Sequence, residues 1–236
     1  MLKTTEVNKN TDFLEGSVLL FNKPLQWSSF DVVKKVRNII KSEKKIGKIK
    51  VGHAGTLDPL ADGLLIVCTG KFTKRVEEIQ GQKKVYTGEI TIGGTTPSYD
   101  KETEIDETFE TSHITEDLIY SSCKKFEGKI MQKPPIFSAL KKDGKRLYQH
   151  AREGTTVEIK EREVEIEYFK ITKIDIPKIE FEVKCSKGTY IRSLAFDFGI
   201  DLKSGAHLSS LRREQIGNYK IENAISLEQF REKILS

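Results

Sequence analysis

The sequence predicts an α+β protein with a mixed, mostly antiparallel sheet flanked by helices. Three observations carry that expectation. Stretches of strand character outnumber those of helical character. The strands mostly follow one another instead of alternating with helices. The chain has 236 residues, 37% of them hydrophobic and 32% charged, which is enough to bury a core under a well-solvated surface.

In chain order, Gly16 to Phe21 (GSVLLF) reads as a short apolar strand closed by Asn22-Lys23-Pro24. Ser28-Ser29-Phe30-Asp31 has the character of a helix start. Phe30, Val32, Val33, Val36 and Ile40 follow at three-to-four spacing, so a helix is expected from Ser29 to Lys41. The lysine-rich link from Ser42 to Lys50 is expected to be a loop. Leu64 to Cys68 (LLIVC) suits a buried strand, and Lys74 to Ile79 a short helix. KKVYTGEITI, from Lys83 to Ile92, alternates as a strand does and stops at Gly93-Gly94.

Asp117 to Phe126 reads as a helix, and Gln132-Lys133-Pro134-Pro135 as a stiff extended entry into a polar stretch from Lys141 to Glu161. Arg162 to Ile174 and Ile179 to Cys185 alternate as strands. Thr189 is placed to cap a helix bearing Ile191, Ala195 and Phe198 on one face. A strand from Asn218 to Ile221 and a helix from Ser226 to Ile234 complete the chain.

Charge is close to balanced, 40 basic against 35 acidic residues, but it is unevenly placed. Lys23, Lys34, Lys35, Arg37, Lys41, Lys44, Lys45, Lys48 and Lys50 face only Asp31 and Glu43 within one segment. Lys141-Lys142-Asp143-Gly144-Lys145-Arg146 is a second basic run, and Asp100 to Asp117 is acidic. On charge alone these are solvated faces; the alternative is a surface that follows a phosphate backbone. Cys68, Cys123 and Cys185 stand far apart, outside any CxxC or Cys/His cluster, so reduced thiols are expected, with neither a disulfide framework nor a zinc site. The N-terminus has no apolar segment of signal-peptide length, and no apolar run is long enough for a membrane span. A soluble, cytoplasmic protein is expected.

The stretch GHAGTLDPLADGLL, Gly52 to Leu65, sets Asp58 among glycines and leucines. Asp-Pro is a turn-forming pair, so a capping role accounts for it. A carboxylate flanked by Leu57, Leu60 and Leu64 is also partly desolvated, and needs a cation or hydrogen bonds. Both readings stand at this point. Arg192, in the first turn of the helix after SKGTY, could supply the cation, although spacing alone makes it a surface residue. An ionised, oriented carboxylate suits nucleophilic attack or stabilisation of positive charge at a sugar carbon. Other chemistries lack their motifs: there is no GxxxxGK[ST], GxGxxG after a strand, HExxH or GxSxG. His53, His113, His150 and His207 are scattered. Leu60 stands where a DxD phosphatase would carry its second acid.

GHAGTLDPLADGLL resembles the signature of the TruB-type tRNA pseudouridine-55 synthases. LLFNKPLQWSSFDVVKKVR, KKVYTGEITIGGTTPSYD, QKPPIFSALKKDGKRLYQHAREG, CSKGTYIRSLAFDFG and GAHLSSLRREQIG extend the likeness along nearly the whole chain, in the family's order. The resemblance implies a pseudouridine synthase fold as one catalytic domain over residues 1–236, with a mobile RNA-clamping insertion around 134–162. It implies that Asp58 is the catalytic aspartate and Arg192 its paired arginine. Tyr86 would stack on the target uracil, Tyr190 and Leu211 would line the base pocket, and His53 would lie against the RNA loop. Asp100 matches a family acid of undefined role, and Lys23-Pro24 a dipeptide that supports the active-site loop. Asp62 stands where the family leads one to expect threonine. The substrate implied is the T stem-loop of tRNA, flipped at uridine 55, with no cofactor, metal or protein partner, and a monomer. Lys34, Lys35, Lys48, Lys50, Lys141, Lys145 and Arg146 are the candidate RNA contacts. Many bacterial members continue into a small RNA-binding domain of the PUA type. FREKILS is expected to close the catalytic domain here, with weaker grip on tRNA outside the T arm.

Overall fold

The computed structural model describes residues 3–142, 144–155 and 157–236. Asp143, inside the second basic run, and Thr156, inside the expected insertion, lie outside the described residues. Along the chain come β1 (Val18–Lys23), α1 (Ser29–Glu43), β2 (Val51–His53), β3 (Ala61–Thr69), a 3-10 turn (Gly70–Arg75), α2 (Val76–Gln80) and β4 (Lys84–Ile92). The short pair β5 (Gly94–Thr95) and β6 (Glu107–Thr108), α3 (Glu116–Lys125) and β7 (Gly128–Gln132) follow. Then come the short pair β8 (Lys141–Lys142) and β9 (Lys145–Arg146), α4 (Leu147–Arg152), β10 (Arg162–Asp175), β11 (Lys178–Cys185) and α5 (Ile191–Asp201). β12 (Ala206–Ile216), β13 (Tyr219–Lys220), a 3-10 turn (Ile221–Asn223) and α6 (Leu227–Leu235) end it.

The chain forms two compact units, residues 1–86 with 212–236, and residues 87–211; β4 and β12 each run from one into the other. In the first unit β1 and β2 both pair antiparallel with β3, and β13 pairs with the end of β12. LLIVC lacks alternation because β3 is buried on both faces. Leu65 and Val67 join Leu19 and Phe21 of β1 against Val32, Val36 and Ile40 of α1 and Phe230 of α6. Leu64, Ile66 and Cys68 join Val18, Leu20, Ile79 and Ile216 on the other side. Each such aliphatic side chain contributes about 1.5–3 kcal/mol on burial. Ser28 and Asp31 form a reciprocal capping box that starts α1 where the sequence places it.

In the second unit β10 and β11 pair antiparallel, and β7 adds to the outer edge of β10 with Gln132 opposite Arg162. The strand order there is β12-β4-β11-β10-β7. α5 buries Ile191, Leu194, Ala195 and Phe198, and Phe198 meets Phe169 edge to face at 5.5 Å.

Four details differ from the sequence reading. Tyr190 holds the N-cap position of α5 with no side-chain hydrogen bond to the helix, and the Thr189 hydroxyl donates to Ser186 O at 3.1 Å instead of capping it. The polar stretch after Lys141 contains α4, a short helix that buries Leu147 alone and so shows no apolar period. β7 escapes notice because it is an edge strand with only Gln132 buried. β12 escapes because its buried set includes His207 and Arg213, which break the apolar alternation.

Candidate active site

In the first unit, the loop between β2 and β3 carries Asp58. Its own carbonyl accepts from Ala61 N–H at 3.1 Å, so Asp58-Pro59-Leu60-Ala61 is a turn. The loop is fixed from three sides. Ser29, the first residue of α1, accepts from Leu57 N–H at 2.8 Å and donates to Leu57 O at 3.1 Å. Gln26 N–H donates to Pro59 O at 2.8 Å. Arg213, 1% exposed, reaches in from β12: Nε donates to Leu64 O at 2.8 Å and Nη2 to Gly55 O at 3.0 Å. A guanidinium spends its fork on loop carbonyls here, which pins the chain on both sides of Asp58. Asp58 itself is half-buried.

Lys23 lies beside this loop and is fully buried. Its ammonium donates to Trp27 O at 2.6 Å and to Pro24 O at 2.9 Å. Burial lowers its pKa to about 8, while the negative charges of Asp62 and Asp58 oppose that shift. Lys23-Pro24, expected to support the active-site loop, thus places a cation held by carbonyls of the segment that leads into α1, close enough for the Asp58 and Asp62 charges to act on it. Asp62, the departure from the family pattern, pairs with Arg212 at 2.6 Å. His53, at the end of β2, is half-buried, and burial lowers its pKa while a Gly55 backbone hydrogen bond opposes the shift. Tyr86 is 9% exposed on β4.

In the second unit, Arg192 is in the first turn of α5 and is buried, not at the surface as spacing alone suggests. Nη1 lies 3.5 Å from Asp100 Oδ2 and donates to Ser98 O at 3.3 Å. Asp100 thus acquires a structural relation that the sequence left undefined. A cation at a helix N-terminus opposes the helix dipole, so its position requires compensating anions or carbonyls. Tyr190, half-buried, has the Arg162 guanidinium over its ring at 4.8 Å. Leu211, on β12, is half-buried.

Of the candidate RNA contacts, Lys34 and Lys35 are exposed on the outer face of α1, and Lys48 and Lys50 are exposed in the link to β2. In the second unit Lys141 and Arg146 are exposed, whereas Lys145 pairs with Glu153. Tyr148 lies between Arg146 and Arg152, 6.0 and 5.5 Å from its ring. Among the described residues no group of three His, Cys, Asp or Glu side chains could hold a metal ion, and no helix is long and apolar enough to cross a membrane. The three cysteines are buried, and none forms a disulfide among the described residues. Sequence reasoning missed Arg213 and Gln132; nothing in LRRE distinguishes the buried Arg213 from the half-buried Arg212.

Comparison with known proteins gives this arrangement its class. An archaeal box H/ACA Nop10–Cbf5 complex matches with TM-score 0.67 and 27% identity over 93% of this chain and 54% of that one. A Cbf5–Nop10–Gar1 complex matches with TM-score 0.71 and 28% identity over 98% of this chain. The chain spans 61% of the length of that second structure. The fold is that of the pseudouridine synthases. The family described as "TruB family pseudouridylate synthase (N terminal domain)" matches residues 40–191. A Flavobacterium johnsoniae protein named tRNA pseudouridine synthase B is 58% identical over 94% of this chain and 98% of its own length. One of the same name from Phocaeicola vulgatus is 51% identical over 94% of each. The chain belongs to the TruB family of pseudouridylate synthases.

Proposed function

We propose that the chain isomerises uridine 55 in the T loop of tRNA to pseudouridine, as a cytoplasmic monomer without cofactor or metal. The observation that carries the reading is the placement of Asp58, a half-buried acidic residue on a loop fixed by Ser29, Gln26 and Arg213, beside the buried Lys23 ammonium. Such an acid is preorganised, its loop held from three sides before substrate arrives. The names of the relatives at 58% and 51% identity supply the substrate.

The reaction breaks the bond from uracil N1 to C1′ and forms one from C5 to C1′. The C5 proton leaves and N1 gains one, so the product is an isomer and no electrons are exchanged. The target base must first leave its stack. Tyr86 supplies a face for the extruded uracil, with Tyr190 and Leu211 around it, and His53 meets the loop. Asp58 acts as nucleophile at the sugar or ring, or as base at the sugar. All three routes need an ionised carboxylate, for which Arg192 is the guanidinium counterpart. Lys34, Lys35, Lys48, Lys50, Lys141, Lys145 and Arg146 hold phosphates.

Replacing Asp58 by Asn tests the reading. tRNA carrying 5-tritiated uridine releases tritium only when C5 exchanges its hydrogen for the sugar carbon. The expected result is loss of tritium release with tRNA binding retained. Undiminished release would remove Asp58 from the chemistry, and release from a site other than 55 would remove the assigned target.

A further inference from the structure

α5 starts without a cap of its own. Tyr190 at its N-cap has no side-chain acceptor to offer the helix, yet Arg192 stands two residues on. The missing anchor comes from another element. The Gln132 carboxamide, at the end of β7 and 1% exposed, accepts from Tyr190 N–H at 2.8 Å and donates to Tyr190 O at 3.0 Å. Both halves of one side chain therefore grip both main-chain groups of one residue, as a strand partner would. The next residue continues the grip, because Ser193 Oγ donates to Lys133 O at 2.7 Å. Across the β7–β10 pairing, Gln132 faces Arg162, whose guanidinium covers the Tyr190 ring. Arg162 also donates to Gly188 O. One rung of the sheet edge thus holds Tyr190 by its backbone and by its ring.

We propose that Gln132 is a positioning residue: by fixing the Tyr190 main chain it sets the start of α5, and so the direction in which Arg192 projects. This rests on the reading of Asp58 and Arg192 given above. An arginine in the first helical turn can point along several rotamers, and here its Nη1 meets Asp100 and Ser98 O. The backbone from which it springs must itself be fixed for the guanidinium to occupy one place. Gln132 supplies that from outside the helix, at a point where the helix has no capping side chain.

Gln132→Met keeps length and volume but removes both hydrogen bonds, and Gln132→Asn keeps the amide one methylene too short. Each is tested beside wild type, Asp58→Asn and Arg192→Lys, well below its unfolding temperature. Three quantities are read: single-turnover tritium release from tRNA, the tRNA dissociation constant, and hydrogen exchange at the Tyr190 amide. Both Gln132 variants are expected to exchange faster at Tyr190 while β11 amides stay protected. The single-turnover rate should fall roughly 10- to 100-fold, the scale of a small misplacement of a reacting group, with the dissociation constant within about twofold of wild type. A freed Tyr190 amide with an unchanged rate overturns the proposal, as does a rate loss accounted for by weaker tRNA binding or by global exchange in both variants. Full activity in Asp58→Asn and Arg192→Lys would overturn the underlying reading instead.

Discussion

Asp100 Oδ2 lies 3.5 Å from Arg192 Nη1, and the two side chains are 8% and 6% exposed. Asp100 is locked in turn, because its other oxygen accepts from Glu102 N–H at 2.9 Å and its carbonyl accepts from the Thr96 hydroxyl at 2.7 Å. The acid that the family pattern left without a role is thus a fixed anion beside the arginine proposed to act in the reaction.

Removing that anion leaves a buried guanidinium with less compensation. Asp100→Asn is expected to cost about 3 kcal/mol of stability, the low end for breaking a buried pair. It should also lower the rate of tritium release, since Arg192 loses an orienting charge. In a double-mutant cycle with Arg192→Met, urea denaturation should give a coupling energy of about 1–3 kcal/mol. Additive costs would reduce the contact to mere proximity.

The close approach of β12, the sheet neighbour of β3, leaves no room at Gly63. Its φ is +100°, and a Cβ there would meet Arg213 O at 2.5 Å and Arg213 N at 2.7 Å, backbone atoms that cannot swing aside. Gly63→Ala is therefore expected to destabilise by more than about 2 kcal/mol, combining strain with displacement of the Arg213 strand. Because Arg213 holds the loop around Asp58, activity should fall with it. Gly47→Ala, where a Cβ would meet nothing within 4 Å, should stay within about 0.5 kcal/mol of wild type. Equal effects at the two glycines would contradict the packing argument.

Lys23 gives a pH dependence with a definite sign. Burial takes its pKa from 10.5 to about 8, so between those values the unfolded chain binds a proton that the folded chain lacks. Stability from this group then rises with pH across the window from 8 to 10.5 and is lost as pH falls through 8, with a slope of at most about 1.4 kcal/mol per pH unit. The difference in unfolding free energy between wild type and Lys23→Met should move in favour of wild type from pH 8 to 10, other titrating groups cancelling. A difference independent of pH would show that the buried amine keeps an ordinary pKa.

Legibility followed from which residues bury what. The apolar phases of α1 and β3 are plain because aliphatic and aromatic side chains fill both faces of their core. β12 is not, since Arg213 and His207 are buried through hydrogen bonds to carbonyls, and a hydropathy pattern reads them as surface. The loop of Asp58 announced itself by an acid among leucines. The hands that hold it, Ser29 from α1 and Arg213 from β12, are 29 positions before and 155 after it, and no local pattern links them. Gln132 reads in sequence as part of a stiff extended segment; its side-chain partnership with Tyr190 spans 58 positions and leaves no mark in spacing.

The basic residues on the outer face of α1 and in its following link make a prediction about salt. Lys34, Lys35, Lys48 and Lys50 are exposed. If each neutralises a phosphate, binding releases a counterion per contact, and log K falls linearly with log salt. Replacing any one by Gln should reduce that slope by about 0.7–0.9 and weaken tRNA binding most at low salt. Lys145 should change the slope less, because Glu153 already holds its ammonium. Lys71→Gln is the control: its ammonium sits 2.7 Å from Glu15, and it is not among the proposed contacts. Binding isotherms from about 50 to 200 mM salt decide the matter. Slopes unchanged at Lys34, Lys35, Lys48 and Lys50 would return that run to the status of a solvated face, the reading its charge alone supports.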